Sequence, residues 1–167
     1  MTYQEYIELV KKSFEQSGVN EFRQGNNTWY AYEGIFKWRW LATKLKIFSF
    51  LAYVENIDLP TMQAYSFSCF EFALKNKPGL PRGLQNGIVA NNVMVCNNAS
   101  PEAVAFAQAR PEKKYSAFIN PILVDLSQNT LYYYRQPIIW GKIYDGFMKR
   151  YIEQHFNMFP GTMQPDF

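Results

Sequence analysis

The chain has 167 residues, of which 48% are hydrophobic, 18% aromatic and 19% charged, with a formal net charge of +3 at pH 7. That length suits one domain with a single sizeable core, and so mild a charge excludes a nucleic-acid binder that works through a strongly basic face alone. A single histidine and two cysteines exclude zinc sites of the two- or three-histidine type and a disulfide framework.

Thr2 and Glu5 stand at capping-box spacing ahead of Tyr3, Tyr6, Ile7, Val10 and Phe14, whose three- and four-residue steps predict a first helix that Gly18 ends. From residue 19 to 33 the pattern becomes short and alternating, and Gln24-Gly25-Asn26-Asn27 supplies the turn of a hairpin. Phe36, Trp38 and Trp40 alternate with Lys37 and Arg39 as in a half-buried strand. The apolar parity then slips to Leu41, Leu45 and Ile47, which predicts a bulge or break near Ala42 and Thr43. Over residues 47–54 both parities are apolar, so this strand is expected to be central and covered on both faces.

Asp58 and Pro60 then start a helix that carries apolar residues around most of its circumference to Lys75 and is expected to be buried. Residues 88–96 read as a strand in which Asn91 and Asn92 cannot both face solvent, because adjacent side chains point to opposite sides. Ser100-Pro101-Glu102 caps a short helix that ends near Arg110-Pro111. Residues 116–126 and 130–134, separated by Ser127-Gln128-Asn129, read as a hairpin. Trp140, Ile143, Tyr144, Phe147, Met148, Tyr151 and Ile152 make a clean final helical stripe.

The order α-β-β-β-α-β-α-β-β-α implies an α+β domain over residues 1–157, with a mixed five- to six-stranded sheet and helices packed on its faces, followed by a loose tail at 158–167. Residues 1–12 lack a charged start followed by an apolar run, and the longest apolar stretch is less than half a membrane span. A cytoplasmic protein with no membrane partner is the expectation.

Residues 75–87 collect two prolines, three glycines and three positive charges. Phosphate is drawn to helix N-termini, whereas this loop follows a helix C-terminus, so it reads as a turn. Arg82 is the residue that turning does not explain. No phosphate-binding loop, nucleophile elbow or zinc-protease signature occurs, no cofactor or metal is implied, and an enzyme is the less favoured reading. The weak catalytic candidates are Asp125 at the end of a buried strand, Arg82 and Glu55. Glu33 is a further carboxylate at a strand end, and for Asp125 a turn role is preferred. His155 extends the apolar face of the last helix near its C-terminus, where the dipole favours a cation, and a structural role is preferred for it. Glu71–Lys75, Asp145–Lys149 and Lys149–Glu153 have the spacing of surface ion pairs.

Helix, three strands, helix, strand is also the order of the restriction-endonuclease-like core, which this chain resembles in layout only. That resemblance implies an acid on one strand and an acid, spacer and lysine on the next. Lys44-Leu45-Lys46 occupies the second position without an acid, so the catalytic set is absent or displaced.

Function therefore stays open at this level. The leading expectation is a non-catalytic binding or assembly domain. Its surplus aromatics, among them Trp29, Trp38, Trp40, Tyr132 and Tyr134, would form a patch for a second copy or another protein. The alternative is a nucleic-acid-binding or processing domain with a degenerate endonuclease-like layout. There Lys37, Arg39, Lys44, Lys46, Arg82, Lys113 and Lys114 would meet phosphates while Trp38 and Trp40 stack on bases. A hydrolase acting on an anionic substrate through Asp125 and Arg82 is a weaker third reading.

Overall fold

The computed structural model of the protein describes residues 1–19, 22–25, 28–36, 44–76, 86–111, 113–114, 117–137 and 142–159. In chain order the first half comprises α1 (Tyr3–Gln16), β1 (Phe22–Gly25), β2 (Thr28–Phe36), β3 (Lys44–Tyr53), β4 (Asn56–Ile57) and α2 (Leu59–Asn76). The second half comprises β5 (Asn86–Cys96), β6 (Asn98–Ala99), α3 (Pro101–Gln108), β7 (Lys113–Lys114), β8 (Ala117–Asp125), β9 (Thr130–Tyr132) and α4 (Lys142–Phe156).

The local signals explain most of these boundaries. Thr2 Oγ1 accepts from the Glu5 amide at 3.3 Å and the Glu5 carboxylate returns the bond to the Thr2 amide at 2.7 Å, which closes the capping box on α1. Gly18 just beyond that helix has φ +79°, a left-handed conformation that glycine adopts without strain. Asp58 Oδ1 accepts from the Thr61 amide at 2.9 Å at the start of α2, and Ser100 Oγ accepts from the Ala103 amide at 3.2 Å at the start of α3.

β1, β2 and β3 form an antiparallel meander, and β3, β5 and β8 then run parallel as neighbours. β7 and β9 pair antiparallel with the two ends of β8. Among the described residues the sheet thus has seven strands, one more than the upper count expected, the addition being the two-residue β7. A separate two-residue parallel ladder joins β4 to β6. The mixed sheet with helices on both faces matches the α+β arrangement that the element order implies. The expected break near Ala42 and Thr43, the loop around Arg82, and the tail from residue 160 onward fall outside the described residues.

Each parallel step needs a crossover, and α2 and α3 provide them. Because crossovers are right-handed and the sheet grows in one direction from β3 through β5 to β8, both helices are driven to the same face. There Cys69, Phe70 and Ala73 of α2 pack on Phe48, Phe50, Ile88, Ala90 and Ile119, while Met62 of α2 and Ala103 and Ala107 of α3 pack on Met94, Cys96 and Leu123. The opposite face is covered by the first and last helices. Tyr6, Val10 and Phe14 of α1 and Tyr151, Ile152 and Phe156 of α4 enclose Trp29, Ile47, Leu51, Val89, Val93, Ile122 and Val124. Residues 47–52 are buried at every position, as expected of a strand covered on both sides.

Two expectations need correction. α2 is not buried all round: Met62, Ser66, Cys69, Phe70 and Ala73 form its inner stripe, whereas Phe67 and Phe72 are 57% and 36% exposed. The sheet has one face to offer a helix, so apolar residues on the far side stay in water. Lys149 pairs with Asp145 at 2.9 Å in a largely buried setting and also donates to the Gln136 carbonyl at 3.1 Å. The expected Lys149–Glu153 pair is replaced by a buried latch. Glu153 accepts from Tyr133 at 2.5 Å and Asn157 at 2.7 Å and pairs with Arg135 at 2.7 Å, tying α4 to the segment after β9.

His155 has the structural role preferred for it, as a neutral packing residue without the charge that a helix C-terminus favours. Its ring is buried and stacked on Phe14 at 4.2 Å, and its Nδ1 lies 2.9 Å from Ser13 Oγ. The Ser13 hydroxyl already donates to the Gln154 carbonyl at 3.0 Å. A hydroxyl has one proton, so Nδ1–H must be the donor to Ser13 and Nε2 is the nitrogen that would take up a proton in acid. Burial pulls the pKa from 6.5 down to about 4. Between those values the unfolded chain binds a proton that the folded chain refuses, so stability is full above pH 6.5 and falls as the pH drops towards 4. Urea denaturation at pH 7 and pH 4.5 is expected to show most of a loss of about 3 kcal/mol, and His155→Gln should abolish most of that slope. The lowered carboxyls of Glu5, Glu55 and Asp58 add their own loss only below their ordinary values of 4.5, 4.5 and 3.8.

Candidate binding face and buried polar row

Strand alternation sorts the chemistry of this protein onto two different faces. On the α2 side, the antiparallel register sets Tyr30 opposite Phe50, Tyr32 opposite Phe48, Gly34 opposite Lys46 and Phe36 opposite Lys44. Directly opposed aromatic pairs hold strands together by ring contact. Tyr32 and Phe48 lie 4.8 Å apart, and Phe48 stacks on Phe50 at 6.1 Å. Phe72 of α2 closes a triangle with Tyr30 at 5.1 Å and Phe50 at 5.7 Å.

The inner rings of this cluster, Phe48 and Phe50, are buried, but the outer ones face water. Phe36 is 47% exposed, Phe72 is also exposed, and Tyr30 and Tyr32 are half-buried. Gly34 lies between Tyr32 and Phe36. A Cβ there would come within 2.8 Å of Lys44 Cε, so the glycine makes room for the lysine stem to lie across the strand. The result is an aromatic cluster over β2 and the end of α2, with Phe36 beyond the Lys44 stem and the exposed cations Lys44 and Lys75 beside it.

The expected binding residues distribute differently. Lys44 is exposed on this face, but Lys46 is only 4% exposed and is not available to a phosphate. Trp29 is buried against Phe14 on the opposite side of the sheet, so it is core and not part of a patch. Tyr132 and Tyr134 are half-buried on or just beyond β9, which pairs with β8, far along the sheet from β2. Trp38, Trp40 and Arg82 lie outside the described residues, as do the side chains of Lys113 and Lys114.

The catalytic candidates are brought only partly together. Asp125 is buried, and its Oδ1 accepts from the Ser127 amide at 2.9 Å, the Ser127 hydroxyl at 2.7 Å and the Gln128 amide at 3.0 Å. Those bonds are the turn role preferred for it. Glu55 accepts from the Tyr53 hydroxyl and from the Asn97 amide at 3.0 Å and 3.1 Å. Glu55 and Asp125 share the end of the sheet where β3, β5 and β8 finish, and both charges are felt by Cys96. Its thiol is pushed up to about 12 by burial first and by these carboxylates next. A thiol so raised is not a nucleophile near neutral pH. Cys69 is likewise raised to about 12 by burial. Among the described residues no group of three or more His, Cys, Asp or Glu side chains is arranged to hold a metal ion.

Glu33 lies on the other face, beneath α4. Tyr151 donates to its carboxylate, and the same hydroxyl lies 3.4 Å from Ser49 Oγ. The row continues across the sheet: Asn91 Nδ2 is 3.5 Å from Ser49 Oγ, and Asn120 Nδ2 donates to Asn91 Oδ1 at 3.0 Å. Ser49, Asn91 and Asn120 are register partners on β3, β5 and β8, so one polar level crosses an otherwise apolar face. Burial raises the Glu33 carboxyl, and the Tyr151 hydroxyl opposes that rise. Neither Asn91 nor Asn92 reaches solvent: both are fully buried, Asn91 in this row and Asn92 donating to the Ser66 carbonyl at 3.0 Å under α2. Because Glu33 faces α4 while Lys44 and Lys46 face α2, the described strands do not assemble the acid, spacer and lysine set that an endonuclease-like layout implies.

Tyr151→Phe is expected to cost about 1–3 kcal/mol at pH 7, because it leaves a part-buried carboxylate without its donor. The raised carboxyl of Glu33 favours its protonated form, so the same substitution should cost less at pH 4. Adding Glu33→Gln should recover part of the loss at pH 7. Urea titrations of the single and double variants at the two pH values measure all three.

No family model matches this chain, and no curated protein or solved structure is similar enough to it to lend it a family or an activity.

Proposed function

We propose that this protein is a binding domain that assembles through the aromatic face of β2 and α2, with a second copy of itself as the occupant. The observation that carries this reading is the exposure of Phe36 and Phe72 at the edge of a ring cluster whose other members are buried or half-buried. Phenylalanine has no polar tip to justify exposure, and rigid aromatic area on a supporting layer is what interface centres use. A twofold contact sets one patch against its own copy. This patch suits that arrangement, because its rings cluster together, with Lys44 beside Phe36 and Lys75 three residues beyond Phe72. Tyr30 and Tyr32 supply hydroxyl tips for a polar border.

Lys44 beside Phe36 also favours a second reading, in which a single-stranded nucleic acid stacks on the rings and meets the lysine with its phosphates. That reading predicts salt-sensitive retention on single-stranded DNA that Lys44→Ala weakens. The burial of Lys46 removes one cation from that interaction and places it second.

Native mass spectrometry and light scattering from about 1 to 200 µM test the first reading, a range set by weak to moderate affinities. The wild type is expected to pass from monomer to dimer within that range, and Phe36→Ser with Phe72→Ser to remain a monomer with an unchanged far-ultraviolet spectrum. A wild type that is monomeric throughout overturns self-association.

A further inference from the structure

On a different side of α2 from the aromatic face lies a cleft of about 280 Å3, walled by Ser66 and Phe67 of α2 and by Phe106 and Arg110 at the end of α3, with Ile119 and Pro121 of β8 as its floor. Its volume admits one ring with short substituents, and its lining is mostly apolar. The floor is built where the sheet opens. β7 pairs with residues 117 and 118 of β8 and β9 with residues 123–125. Pro121 falls in the window between them, a place where a residue without an N–H is tolerated.

One buried polar side chain on the wall of this cleft lacks the partner that a structural role would give it, and a second lies beneath it. Ser66 is buried in the middle of a helix, and its hydroxyl has no hydrogen-bond partner among the described residues. A helical serine ordinarily turns its hydroxyl back to the carbonyl four residues earlier, as Ser68 does to Ala64 at 2.9 Å. Ser66 does not, although it lines the cleft. Beneath it, Asn92 spends its amide nitrogen on the Ser66 carbonyl and leaves a buried Oδ1 without a partner among the described residues. Arg110 stands at the opposite wall with no ion-pair partner among the described residues, and an arginine fork is suited to a carboxylate.

From this we infer that the cleft between α2 and α3 is a small-molecule site for an aromatic carboxylate that carries a second hydrogen-bonding group. The ring lies among Phe67, Phe106 and Ile119, the carboxylate meets Arg110, and the polar substituent on the far side of the ring meets Ser66. The site is independent of the aromatic face, so it stands or falls apart from self-association.

4-Hydroxyphenylacetate is the probe, and tyramine, which keeps the phenol and replaces the anion by a cation, is its control. Amide chemical-shift titration of the full chain is expected to move resonances of α2, α3 and β8 with a Kd of about 0.1–1 mM, ordinary for a ligand of this size. Arg110→Gln is expected to weaken binding about tenfold or more, and Ser66→Ala about fivefold, each with the unliganded spectrum otherwise retained; tyramine should not bind. The inference is overturned if 4-hydroxyphenylacetate leaves those resonances in place, if tyramine shifts them equally, or if neither substitution alters the affinity.

Discussion

The structure depends on one constraint: three neighbouring parallel strands, β3, β5 and β8, must be covered on both faces. Parallel pairing requires crossovers, and the handedness of crossovers puts α2 and α3 on one side. Nothing in the middle of the chain can then cover the other side. That task falls to the ends of the domain, and α1 and α4 meet there with Phe14 stacked on His155 and tilted against Trp29 and Phe156. A neutral His155 follows from this arrangement. It sits where two helices and the sheet converge, and a charge there would lose its water without gaining an anion.

Within that apolar layer the polar row from Asn120 to Glu33 serves a purpose that Val or Leu would not. A strand slipped by one residue exchanges its faces, and in purely apolar strands such as these the penalty for slipping is small, since both parities are hydrophobic. Asn91 changes the balance. In the observed register it meets Ser49 and Asn120, whereas in a slipped one it would stand buried opposite apolar side chains. Burying an amide without a partner costs about 1–3 kcal/mol, so the row fixes alignment more than it adds stability. Tyr151 extends the same specificity to α4 by reaching both Ser49 and Glu33.

Much of the architecture was legible because it rests on local chemistry. The capping box at Thr2, the caps at Asp58 and Ser100 and the doubly apolar strand at 47–54 each encode their own outcome within a few residues. The candidate site was less legible, for a physical reason. Exposure depends on which neighbour a side chain finds, and Trp29 and Phe36 look alike in sequence although one packs on Phe14 and the other faces water. Lys46 shows the same limit. Alternation with Leu45 and Ile47 assigns it to the polar side of a strand, yet that side lies against the layer of α2. Glu153 likewise exchanged a helical neighbour four residues away for Tyr133 and Arg135, partners about twenty residues away that only the fold brings near.

α2 joins these threads. Its apolar residues run around nearly the whole helix, and a sheet face accepts only one stripe of them. A crossover helix with no other duty would carry Lys, Glu or Gln on its outer positions at no cost to the core. α2 instead keeps phenylalanine at two of them, and neither is stranded in the middle of an otherwise polar surface. Phe72 completes the ring triangle with Tyr30 and Phe50, and Phe67 walls the cleft that Arg110 and Ser66 share. Exposed apolar area in water is a standing liability for aggregation. Its placement at two concave or clustered sites, each beside an exposed cation, fits surfaces that are covered when the protein is at work.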